Sequence, residues 1–305
     1  MLQGKSAKIL SFTLIISILI SLVFSTMYFT YASTNEEKLY LVEYNLETKE
    51  ITTREYPNVN INTRNSIRST ESYIPTNVMP KARAITGGND SRILVEDTTV
   101  FPNSAISYIE TTFEDGTIGR GTAFLVYSNY AYTAGHCVYH EDYGAPVSIR
   151  VVPGKNSNTE PFGDTWVTNV EMDPGWMYDF DDDEDWAFLT LNTHIGNNTG
   201  WLGIAYSDDY SYFANDRVIL NVIGYPNPLL RNYRQYSGFG PVMSASDMHL
   251  IYDIDTEGGQ SGAPVIQGDH AIGIHTNYTR LNNTVYNECS NITRARFEGF
   301  LSKIN

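Results

Sequence analysis

From residue 85 to the end, the chain consists of short apolar runs separated by turn residues, and this pattern constrains the fold most. Short strands at close spacing, with no amphipathic helices between them, indicate antiparallel β-sandwiches or β-barrels. Closing such sheets into barrels would also remove exposed edges. Helical periodicity occurs only near Thr293–Lys303, so we predict an all-β fold with a short C-terminal helix. The predicted strands are Ala105–Thr111, Thr122–Tyr127, Tyr130–Thr133, Trp186–Leu191, Val218–Ile223, His249–Ile254, Ala263–Ile266 and His270–Thr276.

The N-terminus has the pattern of a secretory signal peptide. Lys5 and Lys8 precede an uncharged, largely apolar run over Ile9–Phe24, and Thr30–Ala32 resembles a small-x-small cleavage site. We expect residues 1–32 to be removed and the protein to be secreted, with no stable membrane association afterwards. A membrane-anchoring helix is the alternative, because the apolar run continues weakly towards the cleavage site and a span needs about 20 residues.

Residues 33–84 form a polar stretch that differs from the chain after it. Asn58–Thr70 is rich in Asn, Thr, Ser and Arg, and apolar residues show no sustained period apart from a short strand predicted at Leu39–Tyr44. Such a stretch can hardly bury a core of its own. We interpret it as a pro-segment that ends at Lys81–Ala84, so that the protein is made as a zymogen. A plain linker to the membrane or cell wall is the alternative.

Composition argues against some partners but identifies no substrate. The net charge is −15 and the pI is near 4.7, which argues against nucleic acid binding, because phosphate recognition needs a basic face. Acidity of this degree favours solubility and weak self-association, so we expect a monomer.

No motif for a bound metal stands out. His136 and His140 lie four apart without the glutamate of a zinc-binding HExxH motif. We expect no cofactor, and calcium at the acidic run Asp179–Asp185 is left open.

The segment Asp255–Pro264 carries the strongest chemical signal. Two glycines precede Ser261 and one follows it. Because glycine tolerates positive φ and close approach of other groups, such a turn can present the serine hydroxyl and its own N–H on one side. That geometry suits attack on a carbonyl and stabilisation of the resulting oxyanion. On this segment alone an ordinary surface turn is an equal alternative, since Gly, Ser and Asp dominate turns.

Two further segments supply the groups that a nucleophilic serine needs. His136 follows a predicted strand and the small residues Ala134 and Gly135, and Asp185 opens the apolar run after the acidic loop. A serine hydroxyl needs a neutral imidazole to take its proton, and that imidazole needs a carboxylate on its other nitrogen. The order His, Asp, Ser is that of the chymotrypsin-type triad. We therefore predict His136, Asp185 and Ser261 as the catalytic residues.

These three segments resemble the signature segments of the chymotrypsin-like serine peptidases and, more narrowly, the bacterial glutamyl endopeptidases. The resemblance implies two antiparallel β-barrels with the active site in the cleft between them. Residues 85–195 would form the first barrel, and residues 196–305 the second barrel and the C-terminal helix. The match rests on Thr133–Cys137, Asp185–Ala187 and Gly258–Pro264, and its narrower part on Asp255–Gly262, Gly273–Asn277 and Ile85–Arg92.

The resemblance also implies an activity, that of a hydrolase cleaving protein or peptide substrates through an acyl-enzyme. Ser261 would attack the peptide carbonyl, His136 would act as base and then as acid, and Asp185 would orient the imidazole. The backbone N–H groups of Gly259 and Ser261 would form the oxyanion hole.

Two features of the resemblance give competing specificities. Asp255, six residues before the serine, occupies the position where trypsin-like members carry the acid that selects Lys or Arg. Thr256 and His275, with Thr276 beside it, match positions that glutamyl endopeptidases use for a glutamate side chain, and such donors bind carboxylates strongly. We predict cleavage after Glu or Asp, with Lys/Arg specificity as the alternative. In some members the amino group of the mature chain also neutralises the bound carboxylate, which would make cleavage after Ala84 activating.

The cysteines depart from the pattern of related enzymes. There the cysteine beside the catalytic histidine pairs with an earlier one, in a region where this chain reads Gly119–Thr122. We therefore expect Cys137 to be unpaired or to pair elsewhere, and we do not expect it to meet Cys289.

The alternative from another functional class is a catalytically silent barrel pair that serves as a binding module. Its usual signature is a lost triad residue, and here all three are present.

Overall fold

The computed structural model describes residues 40–56, 67–75, 90–213 and 218–304. The predicted signal peptide and the predicted processing site at Lys81–Ala84 lie outside these residues. The strands are β1 (Tyr40–Asn45), β2 (Ile51–Glu55), β3 (Ile67–Ser69), β4 (Ile93–Leu94), β5 (Ile106–Phe113), β6 (Ile118–Tyr127), β7 (Tyr130–Thr133), β8 (Pro146–Pro153), β9 (Thr165–Met172), β10 (Ala187–Leu191), β11 (Gly203–Ser207), β12 (Ile219–Gly224), β13 (Tyr236–Ala245), β14 (His249–Tyr252), β15 (Pro264–Gln267), β16 (His270–Leu281) and β17 (Thr284–Asn291).

Helical structure is sparse. A short helix forms at Gly196–Thr199 and the C-terminal helix at Arg294–Ile304. Within the described ranges, no helix has the length and apolar character needed to cross a membrane. The remaining helical segments are single turns at Asn103–Ala105, Gly135–Cys137, Gly175–Asp179, Asp182–Glu184 and Tyr210–Tyr212.

Strands β5 to β10 form the first barrel. They follow the order β10-β7-β6-β5-β8-β9, and pairing of β10 with β9 closes the cylinder. These pairings are antiparallel. The register shifts between Leu125 and Tyr127 and between Thr190 and Leu191. Bulges of this kind bend a strand, and closure needs such bends.

Strands β12 to β17 form the second barrel. Their order is β15-β12-β13-β14-β17-β16, and β15 pairs with β16 to close it. All these pairings are antiparallel as well. The predicted fold, two antiparallel β-barrels followed by a C-terminal helix, is confirmed.

The C-terminal helix packs against elements of both barrels through aromatic side chains. Phe300 lies edge-on to Phe188 of β10, with ring centroids 6.1 Å apart, and Phe297 packs on Tyr206 of β11 at 5.0 Å. Burying a side chain of this size contributes about 1.5–3 kcal/mol. Because β10 belongs to the first barrel and β11 pairs with β16 of the second, the helix holds the two barrels together.

Part of the predicted pro-segment packs on the first barrel. β1 pairs with β9, and β2 extends the sheet by pairing with β1. Leu41, Val42 and Tyr44 of β1 are buried. The strand predicted at Leu39–Tyr44 is thus present, and it shares the core of the barrel rather than forming its own.

Ion pairs fix this added sheet. Glu171 of β9 accepts a hydrogen bond from Arg54 Nη2 of β2 at 2.6 Å, and its other carboxylate oxygen lies 2.5 Å from Lys303 Nζ of the C-terminal helix. Glu171 is only 1% exposed. Burying a carboxylate costs free energy unless it is paired, so these two cations stabilise the added sheet where it covers Glu171.

Candidate active site

His136 lies in the turn that follows β7. The strand ends at Thr133, and Gly135–Cys137 forms a single 3-10 turn. A Cβ atom on Gly135 would lie 2.7 Å from the Trp176 ring, so only glycine fits there. The small residue that precedes His136 in the sequence therefore allows Trp176 to pack against the turn.

The Asp185 carboxylate holds both the ring and the backbone of His136. Its Oδ2 lies 2.7 Å from His136 Nδ1, and its Oδ1 accepts a hydrogen bond from the His136 N–H at 2.9 Å. Asp185 is 3% exposed, so water does not compete for these contacts. Rotation of either side chain would break a charge-assisted hydrogen bond, which fixes the relative orientation of the pair.

Arg296 of the C-terminal helix supports the turn before Asp185. Its Nη2 donates hydrogen bonds to Glu184 Oε2 at 2.9 Å and to the Asp183 carbonyl at 3.0 Å. The guanidinium also lies 5.0 Å from the centre of the Trp186 ring. Because these contacts hold the residues on both sides of Asp185, the helix contributes to the placement of its carboxylate.

The pKa of His136 lies well above its ordinary value of 6.5. Burial by itself lowers it, but the neighbouring Asp185 carboxylate and, to a smaller extent, Cys137 more than offset that effect. An opposite charge at hydrogen-bond distance favours the imidazolium form. The ring is therefore suited to accept a proton and to hold it.

Ser261 lies in a tight turn between β14 and β15. Gly259 and Gly262 have φ values of +98° and +84°, which side chains of L-residues rarely allow. A Cβ atom on Gly262 would lie 2.0 Å from the carbonyl oxygen of Thr122. Both glycines are thus required by the backbone path, as the sequence pattern indicated.

Contacts with β6 and with the Cys137 thiol place the Ser261 turn beside the His136 turn. The Thr122 N–H donates to the Ser261 carbonyl at 2.9 Å, and Cys137 Sγ lies 3.5 Å from the same oxygen. The structure therefore brings Ser261 next to the His136–Asp185 pair. In the described part of the chain, the Ser261 hydroxyl makes no hydrogen bond with the His136 ring. Such catalytic hydrogen bonds often become short only when substrate binds.

The backbone N–H groups of Gly259 and Ser261 are available to a ligand. Neither donates a hydrogen bond to any residue that the structure describes. The Gly258 carbonyl accepts from the Asn227 N–H at 2.5 Å. Because the peptide unit is planar and trans, the Gly259 N–H points away from Asn227. The turn thus offers two free donors beside the serine.

His275 is buried among neutral partners. It is 4% exposed, and its Nδ1 lies 2.7 Å from the Tyr252 hydroxyl and 3.1 Å from the Glu288 carbonyl oxygen. The Tyr252 hydroxyl also lies 3.0 Å from that carbonyl, so every partner of Nδ1 is uncharged. Burial lowers the pKa of His275 to about 4, which keeps the ring neutral near pH 7.

The predicted substrate-binding residues are Thr256, His275 and Thr276. Thr256 precedes Ser261 closely in the chain, and His275 is joined to the Ser261 turn by a backbone hydrogen bond. The His275 carbonyl accepts from the N–H of Gly262 at 2.7 Å, and Thr276 beside it is buried. Thr256 is half-buried, and its hydroxyl has no hydrogen-bond partner in the ranges that the structure covers. All three residues therefore adjoin the Ser261 turn.

Asp255, the competing specificity residue, faces elsewhere. Its side chain is exposed, and its Oδ2 accepts hydrogen bonds from the N–H of Ser91 at 2.8 Å and from the Ser91 hydroxyl at 2.7 Å. An acid that selects Lys or Arg has to stand free at the closed end of a pocket. Asp255 instead joins the segment before β4 to the Ser261 segment.

Sequence reasoning missed three residues that contact the site. Thr122 fixes the Ser261 carbonyl, Tyr252 contacts Nδ1 of His275, and Arg92 contacts the residues just before Ser261. Thr122 and Tyr252 lie inside apolar strand patterns and carry no signal of their own. Arg92 is the last residue of the segment Ile85–Arg92, whose resemblance to a mature N-terminus was the one available signal.

Cys137 and Cys289 are both free, buried thiols, so the expectation that they do not meet is confirmed. Within the described residues, no group of three His, Cys, Asp or Glu side chains could hold a metal ion, the acidic loop included.

Comparison with known proteins decides the family. The sequence model of the family described as Trypsin matches residues 109–295, which is more than half of the 305 residues and includes His136, Asp185 and Ser261. The chain belongs to the trypsin family. As a member it is a serine endopeptidase, a hydrolase that acts on protein substrates.

Within the trypsin family, the chain is similar to bacterial enzymes. A protein of Bacillus subtilis (strain 168) named extracellular metalloprotease is 33% identical over 213 residues, which are 66% of this chain and 67% of the relative. A glutamyl endopeptidase of Bacillus licheniformis is 30% identical over 223 residues, or 69% of this chain and 66% of that protein. This chain therefore spans about two thirds of the length of each relative.

A solved structure supports the narrower resemblance. The structure of a Glu endopeptidase in complex with MPD matches with a TM-score of 0.61 and 26% identity, over 71% of this chain and 97% of that chain. The resemblance of this trypsin-family chain to the glutamyl endopeptidases is thereby confirmed.

Proposed function

We propose that this serine endopeptidase is secreted, is made with a signal peptide and a pro-segment, and cleaves peptide bonds after Glu, with Asp as a second choice. The observation that carries the proposal is the His136–Asp185 pair held against the Ser261 turn, with His275 bonded to that turn through its backbone.

Each residue of the proposed mechanism has a defined task. His136 takes the Ser261 proton as the hydroxyl oxygen attacks the substrate carbonyl, and Asp185 stabilises the imidazolium that forms. The N–H groups of Gly259 and Ser261 bind the oxyanion, which contributes about 3 kcal/mol for each donor. His136 then gives its proton to the leaving amine, and water releases the acyl group by the same steps in reverse order.

Glutamate specificity is supported by the directions of two side chains. Asp255 is exposed and bonded to Ser91, whereas His275 is buried beside the Ser261 turn. A neutral His275 ring carries one proton, and a second proton lets Nδ1 and Nε2 both donate, so that Nε2 can bind a carboxylate while Nδ1 keeps its partner. A bound glutamate side chain favours that proton, because an opposite charge raises the pKa of an imidazole. Thr256 would supply a second donor.

Secretion and processing are supported by sequence patterns and, for secretion, by the name of one relative. Lys5, Lys8 and the apolar run Ile9–Phe24 give the signal pattern, and the B. subtilis relative carries the name of an extracellular protein. Cleavage after Ala84 would free an amino group at Ile85. Because His275 is neutral near pH 7, that amine, whose ordinary pKa is about 8, would supply positive charge for the substrate carboxylate near neutral pH. Normal activity of a chain that keeps residues 33–84 would contradict this step.

The proposal is tested with peptide anilides that end in Glu, Asp, Gln or Arg. We expect the Glu substrate to have the highest kcat/KM, and its advantage over Gln to shrink as pH rises from about 6 to about 9, because the two groups that can carry positive charge beside the carboxylate, His275 and the Ile85 amine, lose their protons as pH rises. Ser261→Ala should abolish hydrolysis of all four, and Ser302→Ala, an exposed serine of the C-terminal helix, should leave it unchanged.

Three results would overturn parts of this account. Preference for Arg would reinstate Asp255 as the specificity residue and give a trypsin-like protease. Unchanged hydrolysis in Ser261→Ala would remove the triad assignment. Absence of any hydrolysis in the wild-type protein would favour the barrel pair as a binding module.

A further inference from the structure

The chain just before β4 contacts the turn that carries Ser261. β4 pairs with β13, which fixes this segment on the second barrel. Ser91 binds Asp255, and the next side chain, Arg92, points inward with only 6% of its surface exposed. A cation buried to this degree in a protein of net charge −15 needs specific partners.

Those partners lie on both sides of the glycine pair that precedes Ser261. Arg92 Nη2 donates to Glu257 Oε2 at 3.1 Å, and Arg92 Nη1 donates to Gln260 Oε1 at 3.0 Å. Gln260 is completely buried, and its Oε1 also accepts the N–H of Glu257 at 3.0 Å. One rigid, planar guanidinium therefore bridges the two residues that flank Gly258–Gly259.

The charges around Arg92 are balanced. Asp90 accepts hydrogen bonds from Arg92 Nε and Nη2, each at 2.8 Å, and Arg231 Nε donates to Glu257 Oε2 at 3.1 Å. The hydrogen bond from Arg92 lowers the pKa of Asp90 to about 2. Burial raises the pKa of Glu257, but the hydrogen bonds from Arg231 and Arg92 outweigh it and lower the pKa overall. All four groups are thus charged at neutral pH.

Packing restrains the two glycines of this pair unequally: a Cβ atom on Gly259 would lie 2.6 Å from the Tyr225 carbonyl oxygen, so Gly259 is closely packed. A Cβ atom on Gly258 would meet no atom within 4 Å, so packing does not restrain this residue. Its carbonyl is held by Asn227, and the Gly259 carbonyl accepts from the Thr122 hydroxyl at 2.9 Å. These contacts hold the carbonyl oxygens of the two glycines, whereas Arg92 holds Glu257 and Gln260, the residues on either side of the pair. Because glycine has the greatest backbone freedom, the end restraints from Arg92 keep the pair in the conformation in which the Asn227 contact directs the Gly259 N–H away from Asn227.

We propose that Arg92 is a positioning residue, which holds the N–H groups of Gly259 and Ser261 in the geometry that binds the oxyanion. This inference rests on the proposed function, because it gives Arg92 a part in the reaction of Ser261. Arg92 does not touch the substrate and acts through Glu257 and Gln260.

The test measures the rate at which a small alkyl fluorophosphonate inactivates the enzyme. Ser261 would attack phosphorus, fluoride would leave, and the phosphoryl oxygen would occupy the oxyanion site. We expect Arg92→Met to lower this rate about 100-fold, since loss of one oxyanion donor or a 1 Å displacement has an effect of that order. Arg92→Lys keeps one charged hydrogen bond but lacks the paired donors of the guanidinium, so its inactivation rate should fall about tenfold. With a peptide anilide, kcat should fall while KM stays within about threefold.

A matched control separates this role from general stability. Arg150 also binds two carboxylates, Glu160 and Asp164, but on β8 of the first barrel. Arg150→Met should leave the inactivation rate within about twofold of wild type. Thermal melting of each variant reports folding, and Arg92→Lys decides the question if Arg92→Met does not fold.

The possible outcomes are distinct. Rates within about threefold of wild type in both folded Arg92 variants would overturn the inference. An Arg92 variant whose affinity for a product peptide falls by the same factor as its kcat would also overturn the inference. Because the probe has no side chain for the specificity pocket, these results do not depend on the preference for Glu. Reaction of the probe with Ser261→Ala would instead overturn the proposed function.

Discussion

His136 and His275 are both held through Nδ1, yet their surroundings give them opposite acid–base character. The partner of His136 is the Asp185 carboxylate at 2.7 Å, whereas the partners of His275 are the Tyr252 hydroxyl at 2.7 Å and a backbone carbonyl at 3.1 Å. An anionic partner raises the pKa of the first ring, and burial without an anion lowers that of the second. The comparison shows that the group on Nδ1, more than burial, decides whether an imidazole acts as a base or stays neutral.

The largest expected effect comes from removing that anion. Asp185→Asn should lower kcat/KM about 10⁴-fold, which is the order of loss for the same change in a chymotrypsin-type triad, because an amide cannot stabilise the imidazolium and favours the wrong ring tautomer. Steady-state kinetics with the Glu anilide measure the loss. Asp182→Asn, an exposed neighbour in the same acidic loop, is the control and should behave like wild type. Activity within about tenfold of wild type would show that Asp185 is not the partner that matters.

A smaller effect is expected at the other histidine. His275→Asn should lower kcat/KM for the Glu substrate about 10- to 100-fold, because a hydrogen bond to a charged group is worth about 1.5–3 kcal/mol. Inactivation by the fluorophosphonate, which needs no pocket, should change little. His249→Asn on neighbouring β14 is the control. An equal loss for probe and substrate would place His275 in the support of the serine turn instead of the pocket.

The smallest expected effect is a shift in the pH profile, which tests the raised pKa of His136 in the comparison of the two histidines. His136 must be neutral to accept the Ser261 proton, so activity should be low below its pKa and rise through it. Since that pKa lies above the ordinary 6.5, the midpoint of kcat/KM for an uncharged substrate should lie above 6.5. The neutral Gln anilide serves as that substrate. A midpoint at or below 6.5 would show that Asp185 does not raise the pKa as the geometry implies.

The strands that sequence predicted best are those with uninterrupted apolar runs. β7 was predicted with its observed bounds, and β10 within one residue. β13 was missed, because it reads YSGFGPVMSA and its glycines and proline break the apolar pattern. Gly240 is nevertheless required there, since a Cβ atom would lie 1.8 Å from the Asp253 carbonyl oxygen. Tertiary packing thus overrides local propensity in this strand.

The residues of the candidate active site also differ in how far sequence patterns could predict them. His136, Asp185 and Ser261 were predictable because each belongs to a motif, and the structure brings them together. Arg92 and Tyr252 were not predictable, because their partners are far away in the chain: Arg92 contacts Gln260, and Tyr252 contacts His275. The direction of Asp255 also depends on a distant residue, Ser91. Motifs identify candidate reactive residues, whereas the contacts that orient those residues depend on the fold.

Labelling of the serine tests the central claim most directly. The purified protein is treated with a fluorophosphonate on the high-pH plateau of its kcat/KM profile, where the His136 ring is neutral, and the modified peptide is located by mass spectrometry. The account predicts a single label on Ser261 and loss of that label in His136→Ala. A label on another residue, or unchanged labelling of Ser261 without the His136 ring, would contradict it.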